Sequence, residues 1–187
     1  GENPDHVFNV GTPGLDNLHK QELISRKELE EKLSFSLGSK YLVVTYHPVT
    51  AGNHDNKLTF YSLLKVIDEA DDIKILFTNS NADAEGRMIN KMIEQYVRTN
   101  PEKATKIGWL GQKVYFSAIK HSNGVVGNSS SGIIEAPSFY IGTLNIGHRQ
   151  LGRIRSDSVI DCGSTYEQIK SGFNMLLSSS FATKLNK

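Results

Sequence analysis

The stretch Gly124 to Arg153, GVVGNSSSGIIEAPSFYIGTLNIGHRQLGR, joins a short apolar run to a small-residue turn, an acidic helix start, a second apolar run and a basic loop. Gly124-Val125-Val126 is short and β-branched, as a buried parallel strand requires, and Gly127-Asn128-Ser129-Ser130-Ser131-Gly132 ends it. A helix is expected to follow. Ser131 or Ser130 would cap it, Gly132 would admit another group close to the backbone, and the N–H groups of the first turn would face outward above the strand end. Glu135 falls about one turn into that helix, where the dipole favours a carboxylate and its oxygens match the two hydroxyls of a diol. Ordinary capping chemistry fits the same spacing, so spacing alone leaves an anion site and a plain helix start both open.

Working outward, strand and helix alternate on both sides. Upstream, His6 to Val10 reads as a short strand, Gly11-Thr12-Pro13-Gly14 as a turn into a brief helix through Leu15 to Leu18, and Ser25 with Glu28 as a capping box for a helix ending near Gly38. Tyr41 to Tyr46 is the first strong strand, stopped at His47-Pro48 because proline biases the preceding residue away from helix. A helix from about Asp55 to Ala70, a strand Ile73 to Phe77, a helix from Asp83 to about Arg98 and a strand Ile107 to Leu110 follow. The helix carrying Tyr115, Phe116, Ala118 and Ile119 leads back to Gly124, and beyond it come strands Thr143 to Ile146 and Ser158 to Cys162 and a helix from Thr165 to about Leu177. This alternation predicts a Rossmann-like layered α/β/α domain with a largely parallel, right-handed sheet spanning residues 1–187.

Composition sets bounds. With 187 residues and 38% hydrophobic content, the chain can bury one proper core. Its net charge of +1, from 21 basic and 20 acidic residues mixed along the chain, gives no footprint for nucleic acid or an anionic membrane. The single cysteine, Cys162, allows no internal disulfide, and no cysteine–histidine spacing fits zinc; the expectation is a cytoplasmic protein with no metal and no cofactor. No apolar run reaches the roughly 18 residues of a membrane span, and GENPDHVF reads as entry into a domain already under way.

In open parallel sheets, ligands bind beyond the carboxyl ends of the strands. His47, Asn79, Leu110-Gly111, Asn128 to Gly132 and Gly147 to Arg149 all fall at predicted strand ends. Each alone reads more readily as a loop residue than as a ligand contact; together they mark a cleft. Arg149 and Arg153, in GHRQLGR, are either a solvated basic turn or a guanidinium fork for a diphosphate.

The strings GNSSSGIIEAPSF, GTLNIGHRQLGR and SVIDCG, with VGTPGLDNL (Val10 to Leu18) and HPVT (His47 to Thr50), closely resemble the C-terminal half of the hydrolysing UDP-N-acetylglucosamine 2-epimerases, in particular the bacterial branch that feeds sialic acid synthesis. The resemblance runs from near the start to about Ser178. It implies the nucleotide-binding half of a glycosyltransferase-B fold, with a UDP-sugar as ligand, a catalytic N-terminal domain of the same enzyme as partner, and a homo-oligomer in full-length form. By position it assigns His47 to the diphosphate and sugar, with a possible assisting role in catalysis, and Asn79 to the next strand end. It assigns the backbone of Leu110 to the uracil, Ser129 and Ser130 with Gly132 to the phosphates, Glu135 to the ribose hydroxyls, and Arg149 to the cleft. The implied reaction converts UDP-N-acetylglucosamine and water to N-acetylmannosamine and UDP, with the main acid and base in the other half. Sister enzymes act on a diacetamido-trideoxy sugar, a donor-nucleotide domain of a glycosyltransferase shares the fold, and a non-catalytic UDP-sugar-binding module is the third alternative. Ala82 to Arg87 departs from the basic, feedback-sensitive stretch of animal members, so no inhibition by an activated sialic acid is expected.

Overall fold

Tyr41-Leu42-Val43-Val44-Thr45 is apolar on both faces, and the reason is its place at the centre of a sheet covered on both sides. The computed structural model describes residues 3–8, 10–50, 55–108 and 111–185. Six strands, β1 (Tyr41–Thr45), β2 (Lys74–Thr78), β3 (Ala104–Ile107), β4 (Val125–Gly127), β5 (Thr143–Ile146) and β6 (Val159–Cys162), pair in the order β3-β2-β1-β4-β5-β6. Every pairing is parallel. The chain therefore runs outward from β1 to one edge, returns, and runs outward to the other, which places the reversal of strand order between β1 and β4.

Helices α1 (Gly14–Lys20), α2 (Arg26–Leu33), α3 (Asn56–Asp68), α4 (Ala84–Thr99), α5 (Gly111–His121), α6 (Ser131–Ile134), α7 (Tyr166–Leu176) and α8 (Ser179–Leu185) accompany the sheet. On one face Leu42, Val44, Ile75, Phe77 and Leu144 pack with Phe60 and Ile67 of α3, Ile89 and Ile93 of α4, and Ile169 and Phe173 of α7. On the other, Tyr41, Val43, Leu76 and Val125 pack with Leu29 of α2 and Ala118 and Ile119 of α5. Alternate residues of β1 thus serve opposite cores. Phe60, Phe77 and Tyr96 form an edge-on aromatic series with centroids 6.4 and 5.8 Å apart, and burying each such ring contributes about 1.5–3 kcal/mol.

Several expectations shift. The described residues of the expected strand His6 to Val10 form none: Asn3 caps a 3-10 turn over Pro4–His6, and Val7, Phe8 and Val10 are exposed, with no strand among the described residues paired to them. Asn9 lies outside the described residues. The capping box at Ser25 forms as expected, but α2 ends at Leu33, where Ser34 turns left-handed before Gly38 is reached. β3 occupies Ala104–Ile107, earlier than the apolar run Ile107 to Leu110, because pairing of Ile75 with Ala104 and Thr78 with Ile107 fixes its register. As an edge strand it buries only its two ends, so its sequence lacks an apolar stripe. α8, which buries Phe181, has no counterpart in the expected elements.

Gly127 shows what holds the centre together. Its φ of 134° lies in the region L side chains avoid, and an added Cβ would fall 1.9 Å from the Thr45 carbonyl oxygen. Only glycine lets β4 leave the sheet this close to β1.

Candidate functional site

Beyond that glycine, the β1 and β4 ends are tied by Asn128, which is 1% exposed. Its Oδ1 accepts from the His47 N–H at 2.7 Å, and its Nδ2 donates to the His47 carbonyl at 2.7 Å. Its own carbonyl accepts from Arg149 Nη1 at 3.1 Å and from Gln150 Nε2 at 2.8 Å. One side chain therefore fixes the turn after β1, and its backbone fixes the turn after β5. A lone asparagine in GNSSS reads as turn chemistry, and nothing in the spacing singled it out as this clamp.

A cavity of about 640 Å³ opens at this point, lined by Thr45, His47, Thr78, Asn79, Ile107, Gly108, Gly111, Gln112, Tyr115, Phe116, Ser129, Ser131 and Glu135. It lies at the carboxyl ends of β1 to β4, where the topology places it. Of the expected site residues it gathers His47, Asn79, Ser129 and Glu135. Leu110, with Trp109, lies outside the described residues, although Gly108 and Gly111 on either side line the cavity.

The other expected residues are placed differently. Ser130 has helical φ and ψ, makes no side-chain cap bond and does not line the cavity; its carbonyl accepts the Ile133 and Ile134 N–H groups. The expected serine cap is thus absent. Gly132 is buried behind the cavity wall, its N–H bonded to the Ser129 carbonyl at 3.3 Å, and an added Cβ would meet Thr143 Cγ2 at 2.6 Å. The close approach that needs glycine there is by β5. Glu135 ends α6, which has a single turn, and a 3-10 turn over Ala136–Phe139 continues from it. So short a helix offers little dipole at the cavity.

Two residues that line this cavity each carry a buried polar atom with no partner among the described residues: Glu135 Oε2 and His47 Nδ1. Burial raises the Glu135 carboxyl pKa above its ordinary value. Burial pushes the His47 ring down to about 4, helped by the nearby Arg149 charge and opposed by Asp83, so the imidazole is neutral at pH 7. Arg149, exposed on the turn after β5, is lowered by partial burial and then by the Arg153 guanidinium. Arg149, expected in the cleft, does not line the cavity; its charge stands beside His47, and that of Arg153 beside Arg149. Arg155, by contrast, is taken up by Asp161 at 3.0 Å and the Gln150 carbonyl, and braces the loop.

The description "UDP-N-acetylglucosamine 2-epimerase" belongs to a family model that matches residues 1–187, the whole chain. The chain belongs to this epimerase family. It is 34% identical over 181 residues to the GDP/UDP-N,N'-diacetylbacillosamine 2-epimerase (hydrolyzing) of Campylobacter jejuni, covering 97% of this chain and 47% of that one. It is 36% identical over 176 residues to the polysialic acid biosynthesis protein P7 of Escherichia coli, covering 94% and 44%. The epimerase-family chain thus spans about half the length of the curated relatives it matches. Its fold is similar to a crystal structure of the Neisseria meningitidis UDP-GlcNAc 2-epimerase bound to UDP-GlcNAc, with TM-score 0.63, 16% identity and coverage of 92% and 46%. It is also similar to the C-terminal domain of a group 1 glycosyl transferase from Francisella tularensis, with TM-score 0.58, 14% identity and coverage of 87% and 88%. The parallel sheet with flanking helices is therefore the layered half expected of a glycosyltransferase-B-like fold.

Proposed function

We propose that this epimerase-family chain is the UDP-binding half of a cytoplasmic hydrolysing 2-epimerase, one that converts UDP-N-acetylglucosamine and water to N-acetylmannosamine and UDP. The observation that carries this reading is the pair of partnerless buried atoms, Glu135 Oε2 and His47 Nδ1, on one cavity at the reversal of strand order. A buried acceptor left unbonded is costly unless a ligand donates to it. Ribose hydroxyls would donate to Glu135. The diphosphate would lie across Ser129 toward His47, Arg149 and Arg153, where the cationic edge stabilises charge that grows as the leaving group departs.

Chemically, a base removes the proton from the second sugar carbon, the bond from the anomeric carbon to the UDP oxygen breaks, and an unsaturated sugar remains. Water then adds, a proton returning to the opposite face of the second carbon and hydroxyl to the first. The weakly acidic carbon proton needs a positioned base, which we assign to an N-terminal half. Glu135 serves as a ribose clamp, and neutral His47 can donate or accept one hydrogen bond at the diphosphate.

The relatives named for diacetylbacillosamine favour a second reading of the sugar, a UDP-diacetamido-trideoxyhexose. Incubating the full-length protein with each UDP-sugar and no acceptor, then resolving products by proton NMR, tests both. Free 2-epimeric sugar and UDP support the reading, and the faster substrate identifies the sugar. Turnover only when an acceptor is supplied would replace it with a glycosyltransferase.

A further inference from the structure

Against the cavity wall, hydroxyls from α5, α6 and the β4 turn stand in line. Tyr115 Oη bonds Ser131 Oγ. Ser131 Oγ donates to Ser129 Oγ at 3.1 Å, and the Ser131 N–H approaches the same oxygen at 3.4 Å. Each hydroxyl has a single proton. Since Ser131 gives its proton to Ser129, Tyr115 must be the donor to Ser131, and every bond in the line points the same way. Ser129 Oγ receives from Ser131 twice, and among the described residues nothing accepts its own proton, which leaves the cavity that Ser129 lines as the direction open to it.

We propose that Tyr115 and Ser131 are positioning residues that turn the Ser129 hydroxyl into an oriented, polarised donor for a phosphoryl oxygen of the nucleotide diphosphate. This rests on the UDP-binding reading above and names the device by which that site holds its anion. A phenol is a stronger donor than an alcohol, and aligned hydrogen bonds polarise one another in a water-poor site. The need for such a device follows from α6: a single turn, with no cap bond from Ser130, supplies little of the charge a longer helix start would present.

Tyr115 also forms part of the cavity wall, so the experiment must separate packing from polarisation. Calorimetric titration of UDP and of uridine into the full-length protein does so, because uridine lacks the phosphates. Tyr115→Phe keeps the ring and removes only the hydroxyl; Ser131→Ala breaks the same line one bond further on. Each variant is expected to weaken UDP roughly three- to tenfold, the range of one lost hydrogen bond, with uridine affinity unchanged. In a Ser129→Ala background neither should have any further effect on UDP. An equal loss for UDP and uridine would make Tyr115 a packing residue and overturn the proposal, as would an unchanged UDP affinity or full additivity with Ser129→Ala. Absence of UDP binding by the unmutated protein would instead sink the nucleotide reading, and the relay with it.

Discussion

Two hollows of nearly equal size, about 640 and 630 Å³, differ in what lines them. The second is a groove between α3 and α4 walled by Tyr61, Leu64, Met88, Met92 and Tyr96. Part of its polar lining is already engaged: the Tyr96 hydroxyl donates to Asp68 at 2.6 Å and Arg87 donates to the Ala82 carbonyl. None of its described lining atoms is buried without a partner, whereas the cavity at the β1–β4 junction has two. Volume does not separate a packing imperfection along two amphipathic helices from a place built for a ligand. Unmet hydrogen-bonding capacity does.

The contrast can be broken most forcefully at Gly127. With the Thr45 carbonyl where a Cβ would sit, Gly127→Ala should destabilise the protein by about 4 kcal/mol or more, read by urea denaturation, and UDP binding should vanish with the junction. A loss below about 1 kcal/mol would show that β4 can leave the sheet by another path. Next in size is Glu135→Ala, expected to weaken UDP by about 1–3 kcal/mol in calorimetry. Met92→Ala in the groove should leave UDP affinity unaltered; equal losses in both variants would erase the distinction between the hollows. The carboxyl has a second consequence. Because burial raises its folded pKa, the unliganded protein should gain stability as pH falls through that raised value toward 4.5, and Glu135→Gln should remove that dependence while raising Tm.

The last test, and the sharpest to read, concerns His47. Its folded pKa is depressed to about 4 from an ordinary 6.5, so the unfolded chain takes up the proton first and stability should decline as pH falls between those values. Ring resonances in two-dimensional NMR should show a neutral imidazole at pH 7, and UDP should raise its pKa, since a nearby anion favours the imidazolium. A free-protein pKa near 6.5 would place His47 in solvent rather than in the wall.

How much of this could be read beforehand follows from how local each cause is. The elements around β1, α3, β2 and α4 were legible because their apolar patterns coincide with continuous burial. β3 was misplaced by three residues because an edge strand buries little, and its register is set by a partner about thirty residues away. The residues Ser129 and Glu135 stood out as a motif, and the fold brings both to the cavity. Ser130, which makes no cap bond, and Gly132, packed against Thr143 of β5, belong to the same string but do not line the cavity, a matter of packing that no spacing records. Asn128, Tyr115 and Ser131 act through bonds spanning up to 81 residues of sequence, so only the assembled junction reveals them.

That junction also dictates the order in which a nascent chain can mature. Val43 aligns with Val125 and Thr45 with Gly127, whereas β1, β2 and β3 need only residues 41–107 to pair among themselves. During synthesis, those strands can zip together while the inner edge of β1 displays unmatched amide and carbonyl groups, until β4 emerges. Long-range parallel pairing closes slowly, and a bare, wholly apolar strand edge is a template for intermolecular association. The cavity at the strand ends is therefore built on a seam that cannot close until Gly127 has emerged, with β5 and β6 added after it, so anything that slows translation or folding between Thr45 and Gly127 prolongs the exposure of that edge.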